Sequence, residues 1–530
     1  MQTEYISFEK TGYFSSLITD YLNKDPKLNP FYNRYPDLDA FQDQIKDKTK
    51  SFSNDNRSVL VKALKDQYAN LEVSEETINN IEALKVSNTL TVTTGHQLNL
   101  FTGPLYFLYK IVSTINLSKV LQDKYPENQF VPVYWMATED HDFDEINFFN
   151  FEGKKIQWSK DSKGAVGELN TTGLDEVFRI VSKAFGDSFV AQDLKKLFES
   201  AYLKHDNLAD ATRYLANALF KDLGLVIIDA NDQDLKRLFI PYLQEELLER
   251  TSYQKVMETN AGLEKHYGLQ VNPREINLFY LLEGLRERIV YNNAVYKVLN
   301  TDIIWSEEAL LKELEQHPER FSPNVIMRPL YQEVILPNLC YIGGGGELAY
   351  WLQLKGFFEH VKIPYPILLL RNSVLIQTKK QKEKLEKLNV TTEALFQDQE
   401  ELINKKVEEL SEIDIDFSPQ KEYLKEQFKD LYKLAEQTDK SFIGAVKAQE
   451  VKQINGLKNL EKRLLRAQKR KLSDEVERLT KLQNALFPNK GLQERNTNFS
   501  EFYLVYGDTL IPNLLDTLDP LSGEFLILTL

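Results

Sequence analysis

The sequence predicts an α/β protein with a parallel sheet, followed by a long charged helical segment. A strand–helix–strand pattern lies between residues 89 and 136. Two later apolar runs are short enough to be buried strands, and leucines recur every seven residues near the C-terminal end. A chain of 530 residues is long enough for more than one structural unit.

The first strand–helix–strand unit is the clearest element of the prediction. Thr89–Thr94 (TLTVTT) is short and β-branched, as a buried strand should be, and Gly95 marks its end. Apolar residues at helical spacing continue through Pro104–Leu121, and Phe130–Met136 (FVPVYWM) is a second strand. Such a unit joins parallel strands covered by helices.

Two further apolar runs extend the predicted sheet. Leu225–Ile228 (LVII) precedes Asp229, and Tyr365–Leu370 (YPILLL) precedes Arg371. Open α/β sheets bind ligands beyond the carboxyl ends of their strands. The residues that follow these strands are therefore candidates for contact with a ligand.

We expect residues 1–375 to form this core. It starts with a mostly helical segment that includes Asp55–Leu71, and it carries insertions near 161–222 and 253–316. The second insertion contains a predicted hairpin around Glu287–Leu299.

Residues 376–487 differ from the core because glycine is scarce and Lys and Glu dominate. We predict an antiparallel helical hairpin or coiled coil, with Ser418-Pro419 separating two long helices. Residues 488–530 are expected to fold back onto the core. The leucines of the seven-residue repeat are Leu465, Leu472, Leu479 and Leu486.

Composition excludes several classes of protein. The net charge of −14 and the pI near 5.2 argue against an extended nucleic-acid surface, which needs Lys and Arg. No run approaches the ~20 apolar residues of a membrane span, and the first residues lack a secretory pattern. One cysteine, Cys340, allows neither an intramolecular disulfide nor a cysteine metal cluster. The sequence predicts a cytoplasmic protein.

The first segment with chemical potential is TTGHQLNLFTGPLYFLYK, residues 93–110. A glycine turn after a strand brings backbone N–H groups towards an anion, and the following helix favours negative charge. His96 adds a titratable group and Gln97 an amide. An ordinary strand–turn–helix corner is the alternative interpretation. The candidate ligand-contacting residues are Gly95, His96, Gln97, Thr102 and Gly103.

The second segment is Glu139–Glu145 (EDHDFDE), with five carboxylates and one histidine. Carboxylates this close need a cation or many hydrogen bonds. They could hold Mg²⁺ beside phosphates, orient an amine or supply a general base. A solvated acidic turn is the alternative. No HExxH pattern supports zinc, and we predict no defined metal site. The catalytic candidates are Asp140, His141 and Asp142, together with His96.

The third segment is Met327–Gln353, which contains the four glycines Gly343–Gly346. Glycine permits unusual backbone conformations and the close approach of a ligand. The segment lacks the Lys and Ser/Thr of a phosphate loop, whereas a carboxylate such as Glu347 suits the amino group of an amino acid. A flexible hinge is the alternative. The substrate-binding candidates are Arg328, Gly344, Gly345, Glu347 and Tyr350.

Taken together, TGHQLNLFTGPLYFLYK, PVYWMATEDHDFDEIN and RPLYQEVILPNLCYIGGGGELAYW resemble the BshC family in order and spacing. The charged helical segment and PNKGLQER are also similar to that family. His96 departs from the TGQQ that is frequent there, and four glycines replace GGPGE. The resemblance implies a Rossmann-like core related to class I aminoacyl-tRNA synthetases, with connecting insertions and a coiled coil used for dimerisation.

The resemblance also implies the reaction, in which a ligase adds cysteine to glucosaminyl-malate and forms bacillithiol. The cysteine carboxyl must be activated, so we expect ATP or ADP to bind, with Mg²⁺ as a further candidate. Arg328 would hold the malate carboxylate, because guanidinium groups grip carboxylates bidentately. A second pocket for an adenine nucleotide is implied between the core and the helical segment. Its candidate residues are Arg371, Asn372, Ser373, Gln493 and Arg495.

Two other classes remain open at this stage. A metal-dependent hydrolase could use the EDHD cluster. A non-catalytic RNA-binding or protein-binding protein could use the long helices, and the basic run Lys458–Lys471 would suit it. That run is also what the solvated face of a charged helix requires.

Overall fold

The chain folds around a parallel sheet in a computed structural model that describes residues 1–530. It has two five-stranded sheets, one three-stranded sheet and one two-stranded hairpin. Numbered in chain order, strands β1 to β15 are Gln2–Ser7, Thr89–His96, Gln129–Met136, Phe148–Phe151, Lys154–Gln157, Val226–Asp229, Leu278–Leu282, Leu285–Asn292, Val295–Val298, Ile304–Trp305, Phe321–Pro323, Asn338–Gly343, Ile367–Leu370, Val374–Gln377 and Glu524–Thr529.

Helices cover the sheets and form the charged segment. None combines the length and the apolar composition that a membrane span requires. Helices α1 to α25 are Phe8–Thr11, Ser16–Leu22, Phe41–Ser51, Asn54–Tyr68, Glu75–Ala83, Tyr106–Lys124, Phe143–Ile146, Leu174–Phe185, Phe189–Tyr202, Leu208–Leu219, Gln233–Arg237, Ile240–Glu249, Thr251–Leu263, Glu307–Gln316, Arg328–Ile335, Gly345–Leu352, Lys355–Val361, Lys379–Lys387, Gln399–Leu410, Ser418–Ala435, Lys440–Lys471, Ser473–Leu486, Gln493–Asn496, Phe499–Tyr506 and Leu510–Thr517.

The central sheet has the order β13-β12-β2-β3-β6, and all of its neighbours are parallel. The predicted α/β class and the unit β2–α6–β3 are confirmed. Strand β13 begins at Ile367 and not at Tyr365, because Pro366 lacks the N–H that a ladder needs. All eight residues of β2 are buried, as expected for a central strand covered on both faces.

The prediction that Gly95 ends its strand is wrong. Strand β2 continues through Gly95 and His96, which pair with Trp135 and Met136 of β3. A side chain at Gly95 would lie 3.1 Å from the Tyr341 hydroxyl, so glycine is needed here for close packing.

The insertion after α13 forms the second five-stranded sheet, in the order β10-β9-β8-β7-β11. The predicted hairpin around Glu287–Leu299 is present as β8 and β9, which pair antiparallel. Its neighbour β7 pairs with both β8 and β11. This sheet carries side chains of β8 towards the residues that follow β3.

The charged segment contains an antiparallel hairpin of α20 and α21. Lys421 pairs with Glu461, and Tyr432 donates a hydrogen bond to Glu450, so positions advance along one helix as they recede along the other. Pro419 lies in the first turn of α20, where it needs no N–H partner. The turn of this hairpin therefore lies at residues 436–439. Ser418-Pro419, which we expected to separate two long helices, instead begins α20 after the break that follows the shorter α19.

The seven-residue leucine repeat is not one continuous seam. Leu472 lies between α21 and α22, and Leu479 and Leu486 are buried in the main hydrophobic core. A seven-residue leucine repeat is compatible with a helix supercoiled around a partner helix and with a straight helix packed on a globular surface. The sequence alone does not distinguish these two arrangements.

The C-terminal segment packs onto the core, and a buried ion pair fixes it there. Strand β15 lies between β1 and β14. Upstream of it, Glu494 pairs with Arg371 at 2.7 Å, with side chains 0% and 3% exposed. The same carboxylate accepts hydrogen bonds from the Ser373 hydroxyl and the Val374 N–H.

We expect Glu494→Ala to lower the free energy of unfolding by about 3–5 kcal/mol, because it leaves the buried Arg371 charge unpaired. Glu477→Ala breaks an exposed pair with Lys481 and should cost less than about 1 kcal/mol. Reversible urea denaturation measures both values. Equal, small losses in the two variants would contradict this account.

Candidate functional site

The carboxyl ends of the central strands bring the three sequence segments together. His96 of β2 pairs with Met136 of β3, and Met136 pairs with Asp229 of β6. Strand β12, which ends at Gly343, lies on the other side of β2. The chain segments after β2, β3 and β12 therefore meet at one edge of the sheet, where open α/β sheets bind ligands.

A buried lysine joins two of these segments. Lys110 of α6 donates to the Gly95 carbonyl at 2.6 Å and pairs with Glu347 at 2.5 Å. Glu347 also accepts hydrogen bonds from the Tyr341 hydroxyl (2.6 Å) and the Gly344 N–H (2.8 Å). Burial would raise the pKa of Glu347, but the Lys110 charge and these hydrogen bonds lower it. The carboxylate that we expected to bind an amino group is thus already paired inside the protein.

The glycines before Glu347 serve close packing. None of Gly343–Gly346 has a positive φ, so the expected unusual backbone conformation is wrong. A side chain at Gly343 would lie 3.0 Å from the Glu347 Cβ, and one at Gly345 would lie 3.3 Å from Ile18. Gly344 is the N-cap of α16, and Gly345 starts that helix.

Arg328 is a cation of the site without a carboxylate partner in the chain. Its guanidinium donates to the Tyr350 hydroxyl and the Gln332 side chain, both at 3.1 Å. The rings of Trp135 and Tyr341 lie 5.7 and 5.6 Å from it. A guanidinium held between aromatic rings and neutral partners keeps its charge available for an anionic ligand.

His96 is enclosed by aromatic side chains. The rings of Tyr106 and Phe107 lie 5.4 and 5.0 Å from its imidazole. Burial lowers its pKa to about 3, and its Nε2 atom is buried without a hydrogen-bond partner. The imidazole is therefore neutral at physiological pH.

The acidic segment is neutralised from two directions. Glu139 pairs with the buried Lys236, which also donates to the Phe321 carbonyl. Burial disfavours both charged forms, since it raises the pKa of Glu139 and lowers the pKa of Lys236. Arg286 of β8 supplies a second cation, 2.7 Å from His141 Nδ1.

Asp140 is held as a carboxylate. It accepts hydrogen bonds from the His141 N–H at 2.7 Å and from the Gln97 amide at 3.0 Å. Burial would raise its pKa, but the side chain and backbone of His141, the Gln97 amide and the Arg286 charge outweigh burial and hold the pKa well below its usual range. Because a guanidinium only donates, His141 Nδ1 accepts from Arg286. Asp142 is exposed.

No three His, Cys, Asp or Glu side chains anywhere in the 530 residues converge as a metal site would require. Glu139 pairs with Lys236, and the charge of Arg286 acts on both Glu139 and Asp140.

A cavity of about 420 Å³ lies beside Gln97, between the segment after β2, the hairpin β4–β5 and the C-terminal tail, residues 488–530. It offers amides, two carboxylates, aromatic surface and one guanidinium. Its lining includes Gln97, Asn99, Gly103, Pro104, Tyr106, Asp144, Glu145, Phe148, Asn150 and Arg495.

The predicted nucleotide residues separate into two groups. Arg371 and Ser373 contact Glu494, and the Asn372 amide donates to the Asp519 carbonyl. Gln493 exchanges hydrogen bonds with the Ile376 backbone. These side chains hold the tail on the core. Arg495 alone among the five lies at the cavity.

Several residues of the site were missing from the sequence prediction. Lys110 is a charged residue inside the apolar helical run, and this is a signal that sequence does carry. Lys236 and Arg286 come from distant elements, so only the fold brings them near the EDHD cluster. The residues in question are Lys110, Tyr341, Lys236, Arg286 and Glu494.

Comparison with known proteins matches nearly the whole chain to one family, in two domains. The family model described as "Bacillithiol biosynthesis BshC, N-terminal Rossmann-like domain" matches residues 1–372, and "Bacillithiol biosynthesis BshC, C-terminal coiled-coil domain" matches residues 374–530. Curated relatives carry the name "Putative cysteine ligase BshC". One from Flavobacterium johnsoniae is 61% identical over the full length of both chains. Another from Cytophaga hutchinsonii is 39% identical over 98% of this chain and 97% of its own.

The buried His96 predicts acid sensitivity. Above pH 6.5 the imidazole is neutral in both the folded and the unfolded state. As the pH falls towards 3 the unfolded state binds a proton first, so folding stability falls by about 2 kcal/mol at pH 5. His96→Gln should remove this loss, whereas His360→Gln, at a 42%-exposed side chain, should retain it. Urea denaturation at pH 7 and pH 5 measures the difference. An unchanged pH dependence in His96→Gln would contradict the buried neutral imidazole.

Proposed function

The chain belongs to the BshC family, and we propose that it forms an amide bond between the carboxyl group of cysteine and the amine of glucosaminyl-malate. The observation that carries this proposal is the match of both BshC domains, together covering nearly the whole chain. Relatives up to 61% identical over the full length carry the name "Putative cysteine ligase BshC". The parallel-sheet edge described above is where we place the reaction.

Amide formation from a free carboxylate requires activation, and we propose ATP as the activator, with Mg²⁺ neutralising its phosphates. A carboxylate oxygen of cysteine attacks a phosphorus of ATP, and pyrophosphate or ADP leaves. The amine then attacks the acyl carbon, and AMP or phosphate leaves with that oxygen. The amine loses a proton in the same step, and that proton passes to the leaving AMP or phosphate or to water. An amine attacks only in its neutral form, so the site must also accept protons.

Arg328 is our proposed receptor for a malate carboxylate. Two buried cations near the strand ends have carboxylate partners within the protein: Lys110 pairs with Glu347 and Arg371 pairs with Glu494. A dicarboxylate substrate would supply the partner that Arg328 lacks, through two parallel hydrogen bonds.

Asp140 suits the orientation of the amine better than the removal of its proton. Its lowered pKa keeps it ionised, and an anion beside an amine binds the N–H groups. His141 and the exposed Asp142 lie next to it at the open side of the cluster. His96 is buried and neutral, so we assign it to the wall of the site and not to proton transfer.

The cavity beside Gln97 is our proposed nucleotide site. Gly103 allows close approach, and Arg495 offers a cation to phosphate. Arg371, Asn372, Ser373 and Gln493 support this site from within the protein by holding the tail that carries Arg495.

We further propose that two copies associate through the charged helical segment. The α20–α21 hairpin leaves large apolar side chains exposed along its length. These are Tyr423, Leu431, Leu434, Phe442, Val451 and Leu460. Two such surfaces can cover each other, and analytical ultracentrifugation tests the association.

Purified protein incubated with glucosaminyl-malate, cysteine and ATP should form bacillithiol, detected by mass. Omission of ATP should abolish the product. Absence of the product under all nucleotide conditions would contradict the proposal.

Arg328→Met should raise KM for glucosaminyl-malate by roughly 10- to 100-fold, because a charge-assisted hydrogen-bonded pair is lost. Arg328→Lys should recover part of the loss, since it keeps the charge without the bidentate geometry. Arg470→Met, at an exposed position of α21, is the control. The KM is obtained from the mass of product formed at several substrate concentrations. An unchanged KM in Arg328→Met would show that Arg328 does not bind the substrate.

A further inference from the structure

The LFTG loop, Leu100–Gly103, has an unusual backbone. Phe101, Thr102 and Gly103 have φ values of 48°, 66° and 63°, so three consecutive residues lie at positive φ. Residues other than glycine populate this region sparsely, and such conformations persist only where surrounding contacts determine them. The LFTG loop therefore depends on contacts from outside itself.

The main external contact comes from Asn498, which is fully buried. Its side-chain amide donates to the Phe101 carbonyl at 2.8 Å and to the Gly103 carbonyl at 2.6 Å. Its Oδ1 accepts from the Ser500 N–H at 3.0 Å and caps α24. Because both backbone partners are carbonyls, only the NH₂ group of the amide can face them.

Neighbouring contacts connect the same tail to the walls of the cavity. The Thr497 carbonyl accepts from the Leu105 N–H at 2.8 Å, and the Asn496 carbonyl accepts from the Asn150 amide at 3.0 Å. Helix α9 supports the loop as well, because the Phe101 N–H donates to the Tyr202 hydroxyl at 2.8 Å. The tail thus contacts both the LFTG loop and Asn150, which also lines the cavity.

The position of the LFTG loop sets the shape of the cavity. Gly103 and Pro104 line it, and Asn99 lines it from the other end of the loop. The fit is close, since a side chain at Gly103 would lie 2.5 Å from the Asn99 Cβ. A small shift of the loop therefore changes the cavity wall directly.

We propose that Asn498 is a positioning residue of the ligase site, which fixes the LFTG loop in the shape that receives the nucleotide. It acts through the Phe101 and Gly103 carbonyls and lies outside the cavity lining. This inference rests on the proposed function for its substrate, but its structural part is independent of that function.

Two variants separate the clamp, meaning the two hydrogen bonds from the Asn498 amide to the LFTG loop, from the role of Asn498 as a helix cap. Asn498→Ser keeps an oxygen that can cap α24 but removes both amide donors, and Asn498→Ala removes the cap as well. Ser306→Ala removes only a helix cap, at α14 in the second insertion, and is the control. Kinetics at varied ATP and at varied glucosaminyl-malate, together with hydrogen exchange of the Phe101, Gly103 and Leu105 amides, are the measurements.

Both Asn498 variants should show faster exchange at these three amides and a kcat/KM for ATP lower by roughly 10- to 100-fold. KM for glucosaminyl-malate should stay near the wild-type value, since Arg328 lies elsewhere. Ser306→Ala should change neither measurement.

Three outcomes would overturn the inference. Wild-type activity in Asn498→Ser would show that the cap alone matters. Faster exchange without a change in the ATP kinetics would show a purely structural role. If the wild-type protein forms no product, the ligase proposal fails, and unchanged exchange in Asn498→Ser would then refute the clamp itself.

Discussion

The geometry of the site depends on the contacts of the buried Lys110 ammonium group. It lies in the interior, where an unpaired charge is strongly unfavourable, and its partners belong to two different strand ends. Gly95 offers a carbonyl at the end of β2, and Glu347 offers a carboxylate just after β12. One buried cation thereby fixes the separation of the two segments that flank the proposed substrate site. Glu347 transmits the constraint further, because it also holds Tyr341 and the start of α16.

Ion pairs within the protein also determine which charged side chains remain available to bind a substrate. Lys110, Lys236 and Arg371 each have a carboxylate partner within the protein. Burying an ion pair is tolerated best when further hydrogen bonds are made, as the Gly95 carbonyl provides for Lys110 and the Phe321 carbonyl for Lys236. Arg328 differs, because tyrosine and glutamine are its only side-chain hydrogen-bond partners. In the proposed reaction, Arg328 would supply the positive charge that a substrate carboxylate requires.

Sequence predicted the elements whose signals are local. The β-branched run at Thr89 and the apolar run at Phe130 became adjacent parallel strands, and the hairpin near Glu287 was also present. Glycine was harder to interpret, because Gly343–Gly346 could mean either unusual φ values or close packing, and only the neighbouring atoms distinguish them.

Residues whose role depends on a distant partner were beyond sequence reasoning. No local pattern marks Glu494, yet it neutralises Arg371 from more than one hundred positions away in the chain. Asn498 likewise gains its role only because the tail passes the LFTG loop. The leucine repeat does not identify its own packing partner, since the main core and a partner helix present similar apolar surfaces to Leu479.

The most direct test of carboxyl activation follows oxygen from cysteine. Cysteine labelled with ¹⁸O in both carboxylate positions is incubated with the protein, glucosaminyl-malate and ATP, and the products are analysed by mass. Activation followed by amide formation predicts one ¹⁸O in the AMP or phosphate released and one in the amide of bacillithiol. Product without label in AMP or phosphate, or ATP cleavage that does not depend on cysteine, would contradict the account.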